Sequence, residues 1–185
     1  LRHPNKELYA RVESAIRGER CVLLGNIASE EQIVSFLLLA HTLKKEGAAH
    51  LSAIIPYLSF ARHDKAKPGE SLGIQLIGQL LQAAGIDEVV TVDVHSKRDQ
   101  ELFAIPLVSL STAELFAHTT KERRATTLVA PDVGGLERCE KVRSLAGIER
   151  PVAYFKKQRT DNGITQEGPI GDVGTSAVII DDILD

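Results

Sequence analysis

Three carboxylates, Asp181, Asp182 and Asp185, fall within five positions directly behind the apolar run Ala177-Val178-Ile179-Ile180. A short β-branched run suits a strand buried on both faces. A parallel strand delivers its last residues to the rim where open α/β sheets bind ligands. Taken alone, an acidic pair at a strand end is more often a solvated terminus. The same kind of position nevertheless recurs behind other apolar runs. Arg62, His63 and Asp64 follow one, His95 a second, Asp132 with Gly134 and Gly135 a third, and Lys157 with Arg159 a fourth.

Each group suggests a chemistry. Lys157 and Arg159 share a face if their strand continues, so the two cations could clamp a polyphosphate, although a Lys-Lys-Gln-Arg run is most often a solvated edge. His95 and Asp132 could make a split metal site from two loops. Mg2+ prefers oxygen, which makes an imidazole an unusual direct ligand, and a lone histidine is more often structural. Gly134-Gly135 ahead of a helix would let backbone N–H groups approach an anion; tight strand-helix packing is the plainer alternative. Neither a Walker loop nor a Rossmann glycine fingerprint is present.

The elements that must position these groups alternate along the chain. Strands are expected over 7–12, 21–25, 51–56, 89–94, 127–130, 151–155 and 178–180, and after a loop that follows His95 the stretch 103–110 carries an Ile-Pro connector and a short apolar run. Helices are expected over 30–46, capped by Ser29, over 71–84, capped by Ser71, from 111 through 117, and over 136–145. Residues 62–70 read as a charged loop around Pro68-Gly69, and 160–167 as an exposed polar excursion. The alternation predicts an α/β fold of two tandem domains, 1–112 and 113–185, with mainly parallel sheets flanked by helices. Right-handed crossovers would place the strand ends of each sheet on one rim.

Composition narrows the partners. The 185 residues are 43% hydrophobic and 25% charged, with a net charge of -3, which gives no reason to expect nucleic acid or an anionic membrane. Cys21 and Cys139 lack metal-type spacing and suit thiols in a reducing cytoplasm. No apolar run reaches membrane-spanning length, and no secretory signal opens the chain. The opening Leu1-Arg2-His3 and the ending at a strand-to-loop transition suggest an internal portion of a longer protein.

In order, the strand-end residues resemble the ribose-phosphate pyrophosphokinase family. Ala53-Ile54-Ile55-Pro56-Tyr57 through Arg62-His63-Asp64-Lys65 is similar to the family segment ending in Arg-Gln-Asp, and Thr91-Val92-Asp93-Val94-His95 to its Asp-Leu-His strand end. Pro131-Asp132-Val133-Gly134-Gly135 resembles its Pro-Asp-Val-Gly-Gly loop, Lys157-Gln158-Arg159 its Lys-x-Arg, and residues 178–185 the first half of its phosphoribosyl-diphosphate binding motif. The resemblance implies a type I phosphoribosyltransferase-like fold, incomplete in the second domain. It implies Mg2+-dependent transfer of a diphosphoryl group from ATP to the 1-hydroxyl of ribose 5-phosphate. Lys157 and Arg159 would be catalytic. Asn5, Glu7, Arg62, His63 and Asp64 would bind ATP; Asp181, Asp182 and Asp185 would bind ribose 5-phosphate; His95 and Asp132 would serve the metal. The nucleotide loop is shared across a subunit interface in that family, implying a homodimer or hexamer. Without the Thr-Gly-Gly-Thr that continues the motif, this stretch alone is expected to be inactive.

Some positions depart from the family. His3 stands at a phenylalanine position, Lys6 at a glycine and His63 at a glutamine. Ser96-Lys97-Arg98-Asp99-Gln100-Glu101-Leu102-Phe103 strays from the usual signature, with Glu101 at a small-residue position and Leu102 at an aromatic one. Two other readings follow: a weak or inactive regulatory paralogue, and a type I phosphoribosyltransferase, which the Arg62 and His95 segments disfavour.

Overall fold

The computed structural model describes residues 2–160 and 163–182, over 158–164 by backbone alone. The chain forms two compact units, Leu1–Leu110 and Ser111–Asp185, each with its own sheet and core.

The first unit runs β1 (Arg20–Leu24), α1 (Glu30–Lys45), β2 (His50–Ile54), α2 (Gly73–Ala83), β3 (Glu88–Val92), α3 (Lys97–Leu102) and β4 (Leu107–Leu110). Its strands are parallel and lie in the order β1-β2-β3-β4. The register aligns Leu23, Ala53, Val89 and Leu107 in one buried row. The next row, Leu24, Ile54, Val90 and Val108, points to the other face, where Leu24 and Val108 are exposed. Stepping always in one direction with right-handed crossovers puts successive helices on one face, which accounts for the asymmetry. Ser29 caps α1 as expected, accepting from the Gln32 amide at 3.3 Å.

Three expectations fail in this unit. No strand forms over 7–12; a single antiparallel bridge joins Arg2 and Leu8, and half-buried Leu8, Tyr9 and Ala10 line a shallow crevice with Ser35, Leu38 and Leu39 of α1. Alternation supplied a face, but the pairing edge of a sheet was missing. Ser71 does not cap α2, which starts at Gly73 behind Leu72 without a side-chain cap. A Cβ at Gly73 would sit 2.8 Å from the Phe60 ring, so the start of α2 is set by packing against the preceding loop. Residues 97–102, expected as loop, form α3.

The second unit runs α4 (Ala113–Glu122), β5 (Thr127–Ala130), a 3-10 turn at Val133–Gly135, α5 (Leu136–Ala146), β6 (Ala153–Thr160), β7 (Gly163–Ile170) and β8 (Ala177–Ile179). The sheet order is β7-β6-β5-β8, with β5 parallel to both β6 and β8. All four residues of β5 are buried. Leu128, Cys139, Val142 and Ile180 form the centre of this core. Gly147 ends α5 in the left-handed region at φ 71°, the conformation glycine adopts without steric cost. The expected polar excursion over 160–167 is instead the return arm of an antiparallel hairpin, pairing Lys157 with Gln166 and Thr160 with Gly163. Polar side chains suit this pairing because the residues over 165–169 are exposed.

Gly78 in α2 offers a check on the packing of α2 against the chain that follows α3. A Cβ there would lie 2.9 Å from the Ala104 backbone nitrogen and 3.1 Å from the Phe103 ring. Alanine gains about 1 kcal/mol in helix propensity, whereas overpacking costs about 1–3 kcal/mol. Gly78→Ala should therefore lower the thermal midpoint by a few degrees; an unchanged or raised midpoint in a melting experiment would contradict this contact.

Candidate active site

In the second unit, parallel pairing brings the carboxyl ends of β5, β6 and β8 to one rim. Asp132 follows β5 and begins the 3-10 turn, with its Oδ1 accepting from the Gly135 amide at 3.1 Å. Its Oδ2 accepts from the Lys157 ammonium on β6 at 3.1 Å. Asp181 and Asp182 follow β8, and the Asp182 amide donates to Asp181 Oδ1 at 2.9 Å. Arg138, in the first turn of α5, lies 3.7 Å from Asp181 and 3.5 Å from Asp182. The Lys157–Asp132 and Arg138–Asp181–Asp182 groupings therefore occupy one rim.

The carboxylates differ in electrostatics. Burial pushes the Asp132 carboxyl up, but Lys157 and the amides of Gly135 and Gly134 outweigh it and hold it below the ordinary range. Asp181 is raised, first by burial and then by Asp182 and the charge of Asp132. Cys139 is buried beneath them, with Sγ 3.7 Å from the Ile180 carbonyl and its thiol pushed up by burial to about 11, which makes it inert packing.

The first unit holds a separate group. Asp64 is buried at 8% exposure, so its carboxylate is turned to the protein: Oδ2 accepts from the Ser96 hydroxyl at 2.9 Å. The Arg98 guanidinium donates to the Asp64 carbonyl at 2.9 Å. Arg62 and His63 flank Asp64 and are exposed, and the His63 ring stands edge-on to Phe60. His95 is exposed immediately before the Ser96 cap of α3. It lies three residues beyond the end of β3, because Asp93 turns the chain with φ 40° and its amide donates to the Leu110 carbonyl.

Asn5 and Glu7 occupy a tight exposed loop in which the Lys6 amide donates to the His3 carbonyl at 2.8 Å and the His3 amide to the Glu7 carbonyl at 2.9 Å. Lys6 adopts φ 71°, a conformation favouring glycine. The His3 and Tyr9 rings stack with centroids 4.4 Å apart.

The structure thus brings Asp132, Lys157, Asp181 and Asp182 together on one rim, and Arg62, His63 and Asp64 into one loop fastened beside His95. Asn5 and Glu7 share a separate loop. The Arg159 backbone lies on β6, but its side chain, like Asp185, lies outside the described residues. Arg138 escaped the sequence reading; its position in the first turn of the helix after Gly134-Gly135 was the available signal. Among the described residues no group of three or more His, Cys, Asp or Glu could hold a metal. The oxygen-rich rim fits a hard cation bound by one or two carboxylates together with substrate phosphates, the usual manner of Mg2+. Among the described residues no helix is long and apolar enough to cross a membrane.

Comparison with known proteins adds three findings. Residues 1–85 match the model of the N-terminal domain of ribose phosphate pyrophosphokinase. The chain is 33% identical to the ribose-phosphate pyrophosphokinase of Fusobacterium nucleatum and 31% identical to that of Methanothermobacter thermautotrophicus, across 100% and 98% of its own length. It spans 60% and 64% of those relatives. The crystal structure of phosphoribosylpyrophosphate synthetase from Mycobacterium smegmatis superposes with a TM-score of 0.83 at 27% identity, over 98% of this chain and 61% of that one. The expected phosphoribosyltransferase-like α/β fold is borne out by that match.

The opposed shifts at the rim predict opposite mutational effects. Asp181, raised from an ordinary value of 3.8, carries a folding cost that is absent at low pH and grows as pH rises through its folded pKa. Asp132, held low, contributes stability that is present above its unfolded pKa and lost as pH falls through the folded one. In denaturation at about pH 7, Asp181→Asn should be more stable than wild type and Asp132→Asn less stable, with both differences shrinking as the carboxyls protonate in acid. The same sign for both variants would refute the assignment.

Proposed function

From its similarity to ribose-phosphate pyrophosphokinases, we propose that the chain is part of a member of that family, which transfers the diphosphoryl group of ATP to the 1-hydroxyl of ribose 5-phosphate. The oxygen of that hydroxyl forms a bond to the β-phosphorus of ATP as its proton passes to solvent, and the bond from the β-phosphorus to the bridging α-phosphate oxygen breaks, its electron pair leaving with AMP. AMP leaves, and phosphoribosyl pyrophosphate is formed. The observation that carries this reading is the convergence of Lys157, Asp132, Asp181, Asp182 and Arg138 on one rim. Positioning and charge neutralisation supply most of the catalysis in such transfers, and those side chains are suited to both.

In this reading Asp181 and Asp182 accept hydrogen bonds from the ribose hydroxyls, with Asp185 next in the chain. Their pairing with Arg138 holds both carboxylates in place before the sugar arrives. Lys157 is held by Asp132 at 3.1 Å, and it moves its charge to the diphosphoryl oxygens in the transition state, together with Arg159. Arg62, His63 and Asp64, with Asn5 and Glu7, form the ATP-binding segments. Asp132 and His95, each in its own unit, would contact Mg2+, which would supply positive charge to the phosphates. The enzyme works in the cytoplasm and self-associates as a homodimer or hexamer, with Asn5 and Glu7 near the interface.

Full-length protein given Mg-ATP and ribose 5-phosphate should release AMP and phosphoribosyl pyrophosphate. Lys157→Ala should lower kcat by about a hundredfold to a thousandfold, the scale for removing one preorganised donor, while a cooperative melting transition well above the assay temperature is retained. ATP binding without AMP formation by the wild-type protein would favour a regulatory paralogue instead. An unchanged kcat in the variant would remove Lys157 from the reaction.

A further inference from the structure

Residues 62–64 lie in the long stretch between β2 and α2, where no regular element fixes the chain. Their anchorage comes from elsewhere. Asp64 Oδ2 receives the Ser96 hydroxyl at 2.9 Å, and the Asp64 carbonyl receives Arg98 Nε at 2.9 Å. One segment thus grips both the side chain and the backbone of a single buried residue.

Ser96 is itself tightly specified. Its hydroxyl, while donating to Asp64, accepts from the Asp99 amide at 3.3 Å, and its own amide donates to Asp99 Oδ2 at 3.0 Å. That reciprocal capping box fixes the serine rotamer from below. Asp99 is fully buried, and its Oδ1 has no hydrogen-bond partner among the described residues. An orphaned buried carboxylate oxygen carries a desolvation cost, so the local fold retains it at the expense of stability. What the arrangement achieves is geometric: α3 begins with its capping hydroxyl aimed at Asp64.

We propose that Ser96 and Arg98 are positioning residues for the nucleotide-facing segment, holding Asp64, and through it Arg62 and His63, in register with His95. This rests on the reading of residues 62–64 as part of the ATP site. Neither residue needs to touch substrate. A hydrogen bond to a buried charged partner contributes about 1.5–3 kcal/mol, so losing it should weaken ATP engagement about tenfold to a hundredfold.

The test uses the full-length protein with Ser96→Ala, Ser96→Thr and Arg98→Ala. Ser96→Ala and Arg98→Ala should raise KM for ATP about tenfold or more, with kcat and KM for ribose 5-phosphate near wild type. Ser96→Thr, which keeps the hydroxyl and the cap, should restore KM for ATP. Hydrogen exchange should quicken at the amides of residues 62–64 in the alanine variants and stay unchanged in the second unit. Wild-type KM for ATP in both alanine variants overturns the proposal. So does a loss that affects both substrates equally and tracks the melting temperature. A wild-type protein that makes no phosphoribosyl pyrophosphate overturns the functional reading alone; the Ser96→Ala effect on ATP affinity by calorimetry then decides the positioning. Absence of ATP binding in the wild type overturns both.

Discussion

Repulsion among Asp132, Asp181 and Asp182 is the constraint to which the second unit answers. These carboxylates are brought to one rim because β8 and β6 flank β5 in parallel, and the Asp181 carboxyl is raised, first by burial and then by its neighbours Asp182 and Asp132. Each compensating group comes from a different element. Lys157 reaches in from β6, Arg138 from α5, and the Gly134 and Gly135 amides from the 3-10 turn. A glycine at 134 keeps the turn close to Asp132, since a Cβ there would sit 3.2 Å from its Oδ1. Cations already held against carboxylates are poised to exchange partners when phosphate arrives, with little reorganisation.

The first unit uses a different means. Its functional candidates lie on segments outside the strands, so order comes from directed hydrogen bonds and not from a charge balance. Asp64 and Ser96 tie one loop to the start of α3, and the Val94 amide bonds the Ser109 hydroxyl at 2.9 Å to steady the approach to His95. The loop carrying Asn5 and Glu7 closes on itself through the His3–Lys6 and His3–Glu7 contacts. Such links fix orientation at modest energy, about 1 kcal/mol for a neutral pair, and suit segments that must accommodate a ligand.

Much of this was legible in the sequence because buried parallel strands are written in compact runs of apolar and β-branched residues. Val89-Val90-Thr91-Val92 and Thr127-Leu128-Val129-Ala130 marked β3 and β5, and residues following a run fall on a predictable rim. The rest failed for identifiable reasons. Residues 7–12 alternate, but alternation cannot supply a neighbouring edge. The arm β7 is polar because it is exposed, and the Asn162-Gly163 step, a hairpin turn signal, was the overlooked cue. The helix α3 was hidden because six residues give almost no periodicity; its Ser96-x-x-Asp99 capping box was the readable sign. Arg138 was passed over since an arginine in a helix's first turn is ordinary until the fold aims it at two carboxylates.

The departures from the family are concentrated in the first unit and form a connected set. Ser96, Arg98 and Asp99 lie in the altered signature after His95, and together they build the cap, the buried carboxylate and both bonds to Asp64. Random drift in a disused site would remove partners singly and leave polar groups facing water. Here Ser96 bonds in both directions and Arg98 finds a backbone acceptor, so the substitutions support one another. Lys6 contrasts with them, since it holds a left-handed conformation that a glycine would adopt without strain, its carbonyl accepting from the Arg2 guanidinium at 2.6 Å. The segment after His95 is therefore a mutually supporting anchor for the loop that carries Asp64, whereas the Lys6 turn is a tolerated cost, on the order of 1 kcal/mol, at an exposed tip.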